Sequence, residues 1–507
     1  MYQGNHLAER LRAASVGTGS RLFLRNHQTG EGVTYQAFFA NAERVANVLV
    51  ATGVSPGDRV AVQAPKTIAM LELYVATVLA GGVFLPLNTA YTPVEISYFL
   101  SDAEPRVFVC DAEREEQFSP VAKEAGVAKV LTIGADESGS LAELRDAAAS
   151  GFKAVSRGPG DLAAILYTSG TTGRSKGAML THQALASNAE TLKDAWRFSA
   201  DDVLIHALPI FHTHGLFVAT NITLMAGSSC IFMSNFNADD IVSYMPQATV
   251  LMGVPTFYVR LLDSKGLTEA SANMRLFVSG SAPLLAETHD QWRDLTGHAI
   301  LERYGMTETN MNTSNPYDGD RCAGTVGFPL PGIEVLVTDP ATGAPLPKGE
   351  TGVLEVRGPN VFVGYWDMPE KTAEELRDNG FFITGDLGRI DEDGYVHIVG
   401  RQKDLIISGG YNIYPKEIEL LIDELEGINE SAVIGVSHPD FGESVVAVVV
   451  AQSGAETSSA DIMAGIKDDL ARFKQPKRID FVESLPRNAM GKVQKNVLRE
   501  MYAGTFR

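Results

Sequence analysis

The segment Tyr167-Thr168-Ser169-Gly170-Thr171-Thr172-Gly173-Arg174-Ser175-Lys176-Gly177 gathers hydroxyls, glycines and two cations into one loop. Backbone N–H groups, O–H donors and positive charge in one place suit a phosphate chain. A flexible Ser/Gly connector would need neither the cations nor the apolar run Leu162 to Leu166 that precedes them. The spacing is Gly-x-x-Gly-x-x-Lys, whereas a P-loop sets Gly directly before its Lys and follows it with Ser or Thr. Kinase and P-loop NTPase chemistry are disfavoured accordingly.

Four further segments carry chemistry-bearing residues: Arg303-Tyr304-Gly305-Met306-Thr307-Glu308, Thr384-Gly385-Asp386, Gly400-Arg401-Gln402-Lys403-Asp404 and Asn488-Ala489-Met490-Gly491-Lys492. Singly each has a bland reading. Asp386 after Gly385 suits a turn, Tyr304 suits a core, and Glu308 suits a solvated charge. In this order and spacing, spread over essentially the whole chain, they resemble the core motifs of the adenylate-forming superfamily, which includes acyl-CoA synthetases, peptide-synthetase adenylation domains and beetle luciferases.

That resemblance implies activation of a carboxylate by ATP as an acyl-adenylate, with loss of pyrophosphate, followed by displacement of AMP by the thiol of coenzyme A. It implies that Thr168, Ser169, Gly170, Thr171, Thr172, Gly173 and Lys176 hold the β- and γ-phosphates. Thr171 and Glu308 would hold Mg2+ on them, since a hard cation takes oxygen ligands, and Thr307 would bond the α-phosphate. Tyr304 would lie against adenine, with Gly280, Ser281, Ala282 and Pro283 along its other edge and Glu302, Gly305 and Met306 completing that part of the site. Asp386 and Arg401 would take the ribose hydroxyls. Lys492 would stabilise charge in the adenylation step, Lys403 would be the hinge, and Gly409 and Gly410 would face the adenylate for the thiol step. Acylation of Lys492 would remove its charge and act as a regulatory switch.

Around the same motifs lie His206, His212-Thr213-His214-Gly215, Arg260, Arg303 and the polar run Thr309 to Asn315. Fatty and aromatic acids call for an apolar lining. Cations and amides instead suit an acyl group that keeps a negative charge, as a short dicarboxylate does with its second carboxylate on an arginine. The strings His206 to Leu216 and Leu301 to Asn312 are similar to those of the malonyl-CoA synthetase family, which implies malonate, with methylmalonate as a second substrate. In that family His212 is expected to face the carboxylate being activated, and Met306 to border the acyl group. Arg303, then Arg260, is the candidate clamp for the distal carboxylate, and His206 is a further candidate substrate residue. The alternatives are another short dicarboxylate such as oxalate or succinate, a medium-chain or aromatic monocarboxylate, or a stand-alone adenylation module that charges a carrier or emits light.

These residues need a scaffold, and the pattern supplies one. Apolar runs recur at Val60 to Ala64, Arg106 to Cys110, Lys129 to Ile133, Leu162 to Leu166, Val203 to Leu208, Ser229 to Met233, Thr249 to Gly253 and Arg275 to Ser279. Helical patterns separate them, as at Val45, Val48 and Leu49 with a stop at Gly53, so the expected class is α/β with largely parallel strands. From about Val335 the glycine-punctuated texture predicts a β-rich subdomain. Pro415 opens a helix that ends before Gly427, and strands are expected at Ser431 to Val436 and Val445 to Ala451. The expected domains are 1–402, a large N-terminal domain of stacked α/β sheets, and 403–507, a small, mobile α+β C-terminal domain.

The chain has 507 residues, 45% hydrophobic and 21% charged, enough for about three units. A net charge of −20 opposes nucleic acid and anionic lipid as partners. Three scattered cysteines predict a reducing, cytoplasmic setting and no structural zinc. The polar start, with Glu9, Arg10 and Arg12, predicts no secretory signal. The apolar stretches Leu71 to Leu87 and Gly215 to Met233 are interrupted by polar residues, glycines or proline, and read as core, not membrane spans.

Overall fold

A computed structural model describes residues 2–168, 175–408, 411–467, 469–488 and 491–506. By compactness the chain divides into two units: Met1–Glu334 with Val356–Phe382, and Val335–Glu355 with Ile383–Arg507.

Two sheets organise the first unit. In one, the strands Lys129–Ile133, Val107–Asp111, Arg59–Gln63, Val83–Pro86 and Leu162–Thr168 lie parallel in that order. Lys176–Thr181 then folds back antiparallel on Leu162–Thr168. The other sheet has nine strands among the described residues. Its middle consists of Leu22–Asn26, Ser229–Phe232, Val203–His206, Val250–Gly253, Leu276–Ser279 and Leu301–Met306, all parallel. Asn310–Ser314 turns back antiparallel on Leu301–Met306. Parallel strands are covered on both faces, which is why these runs are apolar at nearly every position. All eight expected runs are strands, within one or two residues at most ends.

Parallel pairing also puts His206, Ser279 and Met306 at strand carboxyl ends, the edge where α/β sheets take their ligands. Most of the first apolar stretch is the helix Ile68–Leu79, every residue of which is buried. An all-apolar helix belongs inside, and its one carboxylate, Glu72, is met by Asn41 at 2.8 Å and Arg145 at 3.2 Å. The second stretch forms a π-helical segment His214–Thr220, the helix Asn221–Ala226 and the strand Ser229–Phe232. No helix among the described residues is long and apolar enough to cross a membrane.

The second unit holds the β-rich element expected after Val335, a sheet ordered Glu334–Thr338, Gly352–Arg357, Phe382–Ile390, Val396–Arg401. A further sheet pairs Tyr411–Ile413, Ile406–Ser408, Gly442–Ala451 and Ile428–His438, with Arg478–Phe481 alongside Gly442–Ala451. The helix Pro415–Asp423 begins on its proline and buries Ile418 and Ile422 in the core beside this sheet. Gly427 beyond it takes φ +82°. The hairpin strands outrun the expected ones because pairing continues to His438 and Gly442 through polar residues.

Candidate functional site

The strands on either side of the candidate phosphate segment pair as a hairpin. Thr168 pairs with Lys176 across the two strands, and Thr168 Oγ1 lies 3.4 Å from the Lys176 carbonyl. Ser169, Gly170, Thr171, Thr172 and Gly173 lie outside the described residues. Lys176 Nζ is 3.2 Å from Glu375 and 4.0 Å from the centre of the Tyr365 ring. The Tyr365 hydroxyl stands between two carboxylates, 2.6 Å from Glu375 Oε2 and 3.0 Å from Glu308 Oε1. Burial, then those carboxylates, push its pKa upward, so the phenol stays a proton donor. Lys176 and Glu308 are thereby brought to one place, which the sequence order implied. The sequence reading missed Tyr365 and Glu375, and no local pattern marks either one.

Glu308 is buried in the turn after Leu301–Met306, with Thr307 half-buried beside it. Among the described residues no three His, Cys, Asp or Glu side chains cluster as a metal cage. A single buried carboxylate suits Mg2+, which keeps water and phosphate oxygens as most of its ligands. On the same strand Tyr304, Gly305 and Met306 are partly exposed. A Cβ at Gly305 would stand 1.8 Å from the Asn310 carbonyl, so only glycine allows the return strand so close. Glu302 is buried against His289 at 3.4 Å and accepts from the Gly324 N–H at 3.2 Å.

The candidate acyl residues centre on Arg303. After Ser279 the chain turns through Gly280 and Ser281, which takes φ +72°, toward Ala282 and Pro283. A Cβ on Gly280 would be 2.4 Å from Arg303 Cζ, so the missing side chain makes room for the guanidinium. Arg303 is 3% exposed, and neither Nε nor Nη2 has a hydrogen-bond partner. Among the described residues no carboxylate forms an ion pair with it. Burial pulls its pKa down to about 9, so it is still charged at neutral pH. A buried charge without a counter-ion is costly unless a ligand supplies one. Beside it, His214 Nδ1 lies 3.3 Å from Ser281 Oγ, while His214 Nε2 and Ser279 Oγ are buried without partners. Burial first, then the Arg303 charge, hold the His214 ring neutral.

His212 is half-buried, one residue before the π-helical segment's Thr213 cap. His206 is engaged inside the protein through both ring nitrogens, with Lys66 Nζ at 3.1 Å and the Gly215 carbonyl at 2.9 Å. Arg260 is exposed near the end of the helix Pro255–Leu262, its guanidinium 5.7 Å from the Phe236 ring centre. The polar run is a buried strand, and part of it bonds within the fold: Asn310 Nδ2 to the Asn360 carbonyl, Thr313 to the Val326 carbonyl, and Asn315 to the Glu302 and Thr325 carbonyls, while Thr309 Oγ1, Asn310 Oδ1 and Asn312 Nδ2 are buried without partners.

In the second unit Asp386 and Arg401 face each other across the hairpin Phe382–Ile390 and Val396–Arg401, Oδ1 to Nε 2.6 Å. Lys403 lies in the short turn Gln402–Asp404, and Asp404 pairs with Arg499 at 2.5 Å. Gly409 and Gly410 lie outside the described residues, bracketed by the paired Ser408 and Tyr411. Lys492 is exposed on a tight turn in which its N–H donates to Asn488 Oδ1 at 3.0 Å.

The crystal structure of ATP-bound MatB from Rhodopseudomonas palustris is 58% identical to this chain with a TM-score of 0.97, over 100% of both chains. A malonate–CoA ligase of Arabidopsis thaliana is 34% identical over 95% of this chain and 82% of its own. A feruloyl-CoA synthase of an Amycolatopsis species is 36% identical over 93% and 94%. Residues 11–366 match the AMP-binding enzyme family, and residues 417–492 match the AMP-binding enzyme C-terminal domain. With the Lys176 hairpin, the Glu308 turn and the Asp386–Arg401 pair lying within a chain matched over this extent, the protein belongs to the AMP-binding enzyme family.

Proposed function

We propose that this protein is an ATP-dependent ligase that joins malonate to coenzyme A through malonyl-AMP. One malonate carboxylate oxygen attacks the α-phosphorus of ATP, and pyrophosphate leaves. The coenzyme A sulfur then attacks the acyl carbon, gives up its proton, and AMP leaves with the anhydride oxygen. The observation that carries the choice of acid is Arg303, a buried guanidinium with two unpartnered nitrogens and no protein carboxylate paired with it. A monocarboxylate would leave that charge buried and unmet, whereas the distal carboxylate of malonate offers it bidentate oxygens. Methylmalonate is a second substrate in this reading, since one methyl shifts binding by only about 1 to 3 kcal/mol.

Lys176 and the phosphate loop hold the β- and γ-phosphates, Glu308 supplies a carboxylate oxygen to Mg2+, and Tyr304 borders adenine. Mg2+ when bound withdraws charge from the phosphates. Asp386 and Arg401 take the ribose, and His212 faces the reacting carboxylate. Lys492 stabilises charge in the first half-reaction, and rotation of residues 403–507 about Lys403 exchanges it for the Gly409–Gly410 face in the second. An acyl group on Lys492 would switch the first half-reaction off. Free thiols at Cys110, Cys230 and Cys322 fit a reducing compartment such as the cytoplasm.

The test is the nucleotide product formed from ATP and malonate with and without coenzyme A. AMP and pyrophosphate, turning over rapidly only with coenzyme A, support the reading; ADP overturns it.

A further inference from the structure

We propose that Lys66, which lies outside every motif named above, is a positioning residue that acts through His206 on the histidines of the acyl site. Lys66 follows the Arg59–Gln63 strand at the carboxyl edge of one sheet and reaches the carboxyl edge of the other. Its Nζ donates to the His206 carbonyl at 2.8 Å, lies 3.1 Å from His206 Nδ1, and stands 4.6 Å from the centre of the Phe232 ring. His206 and Phe232 end neighbouring strands in register, so one side-chain nitrogen ties both ends.

The Gly215 carbonyl can only accept, so the ring proton sits on Nε2 and Nδ1 of the neutral ring is left to accept from Lys66 Nζ, which remains a donor although burial pulls its pKa well below the ordinary lysine value. That proton meets the Gly215 carbonyl at 2.9 Å, which also accepts from Thr220 Oγ1 at 3.0 Å. Gly215 lies in the first turn of the π-helical segment His214–Thr220, where a Cβ would be 2.1 Å from the Pro209 carbonyl. Lys66 and the Gly215 carbonyl thus hold one tautomer between them, and the bond to Gly215 fixes where His212 and His214 stand. Single π turns recur at functional sites, and this one is held from outside by a lysine. Burial keeps His206 neutral, as the relay requires.

The inference rests on the acid-activating reading of the site but not on which acid is used. Acid-dependent ATP–pyrophosphate exchange is measured with whichever acid the wild-type enzyme activates best, so failure of malonate does not obscure the result. Lys66→Met should raise the KM for the acid at least about tenfold while the KM for ATP stays within about twofold. Lys66→Arg should recover most of that loss, because it still donates to both acceptors and a cavity of about 310 Å3 lined by Gln63, Lys66, Arg114 and Phe211 gives it room. Lys66→Met combined with His206→Phe should be no worse than the more damaging single change, as expected of residues acting in one chain. Should Lys66→Met not fold, Lys66→Arg and His206→Gln carry the test, since arginine keeps a donor toward His206 and glutamine keeps an acceptor for Lys66 and a donor for Gly215, and both should hold the acid KM within about threefold. Equal rises in both KM values, additive effects, an unmoved acid KM in Lys66→Met, or large losses in both conservative variants overturn the proposal.

Discussion

A guanidinium sealed in without a counter-ion raises the free energy of the empty protein, and the arriving anion recovers that cost. Arg303→Ala should therefore damage use of the acid and spare the nucleotide. A charge-assisted contact worth about 1.5 to 3 kcal/mol corresponds to a rise of roughly ten- to a hundredfold in the KM for malonate, with the KM for ATP nearly unchanged in steady-state assays. An unmoved malonate KM in Arg303→Ala, and also in Arg260→Ala, would place the clamp elsewhere. His214 adds a pH criterion. Burial and Arg303 depress its pKa below the ordinary 6.5, so the ring is neutral on both sides of that value. The malonate KM should then stay flat from about pH 8 to about pH 6, and a KM that improves as pH falls would mean a protonated ring. Arg303, Glu308 and Lys176 could be named as candidates from sequence through the joint order of the segments that carry them. Tyr365 and Glu375 could not, because folding brings Tyr365 to Glu308 across 57 residues and Glu375 to Lys176 across 199, and no periodicity spans such distances.

At the scale of elements, the turn after Leu276–Ser279 is as much a part of the proposed acyl site as the arginine it admits. Gly280→Ala would put a methyl 2.4 Å from Arg303 Cζ, and a buried guanidinium cannot swing away into solvent. The variant should fold, bind ATP and show a malonate KM raised about tenfold, which titration of both substrates would check. Wild-type kinetics in Gly280→Ala would mean that the guanidinium has freedom to move. The strands of both parallel sheets could be read from sequence because burial on two faces makes each one an unbroken apolar run. The π-helical segment could not, since Leu216 to Ala219 is apolar in a way that any buried helix shares. Its wide turn follows from tertiary contacts: Gly215 against the Pro209 carbonyl and the bond from His206.

At the scale of the whole molecule, the proposed cycle asks Lys492 and the Lys403 turn to serve different half-reactions. Lys492→Ala should abolish adenylate formation and still convert supplied malonyl-AMP to the thioester. Lys403→Pro, which fixes φ at the turn, should keep pyrophosphate exchange and slow thioester formation, and equal slowing of both steps in either variant would remove the division of labour. The order of motifs along the chain was enough to indicate both partners of that cycle, but the acid rests on one buried charge. The most direct measurement is therefore pyrophosphate release from ATP, with coenzyme A present, over malonate, methylmalonate, succinate, oxalate, acetate, octanoate and coumarate. Malonate should give the highest kcat/KM, methylmalonate should follow, and acetate, octanoate and coumarate should fall at least about a hundredfold lower, as expected when a buried charge is left unmet. Octanoate or coumarate turning over faster than malonate would contradict the assignment of this enzyme to a dicarboxylic acid.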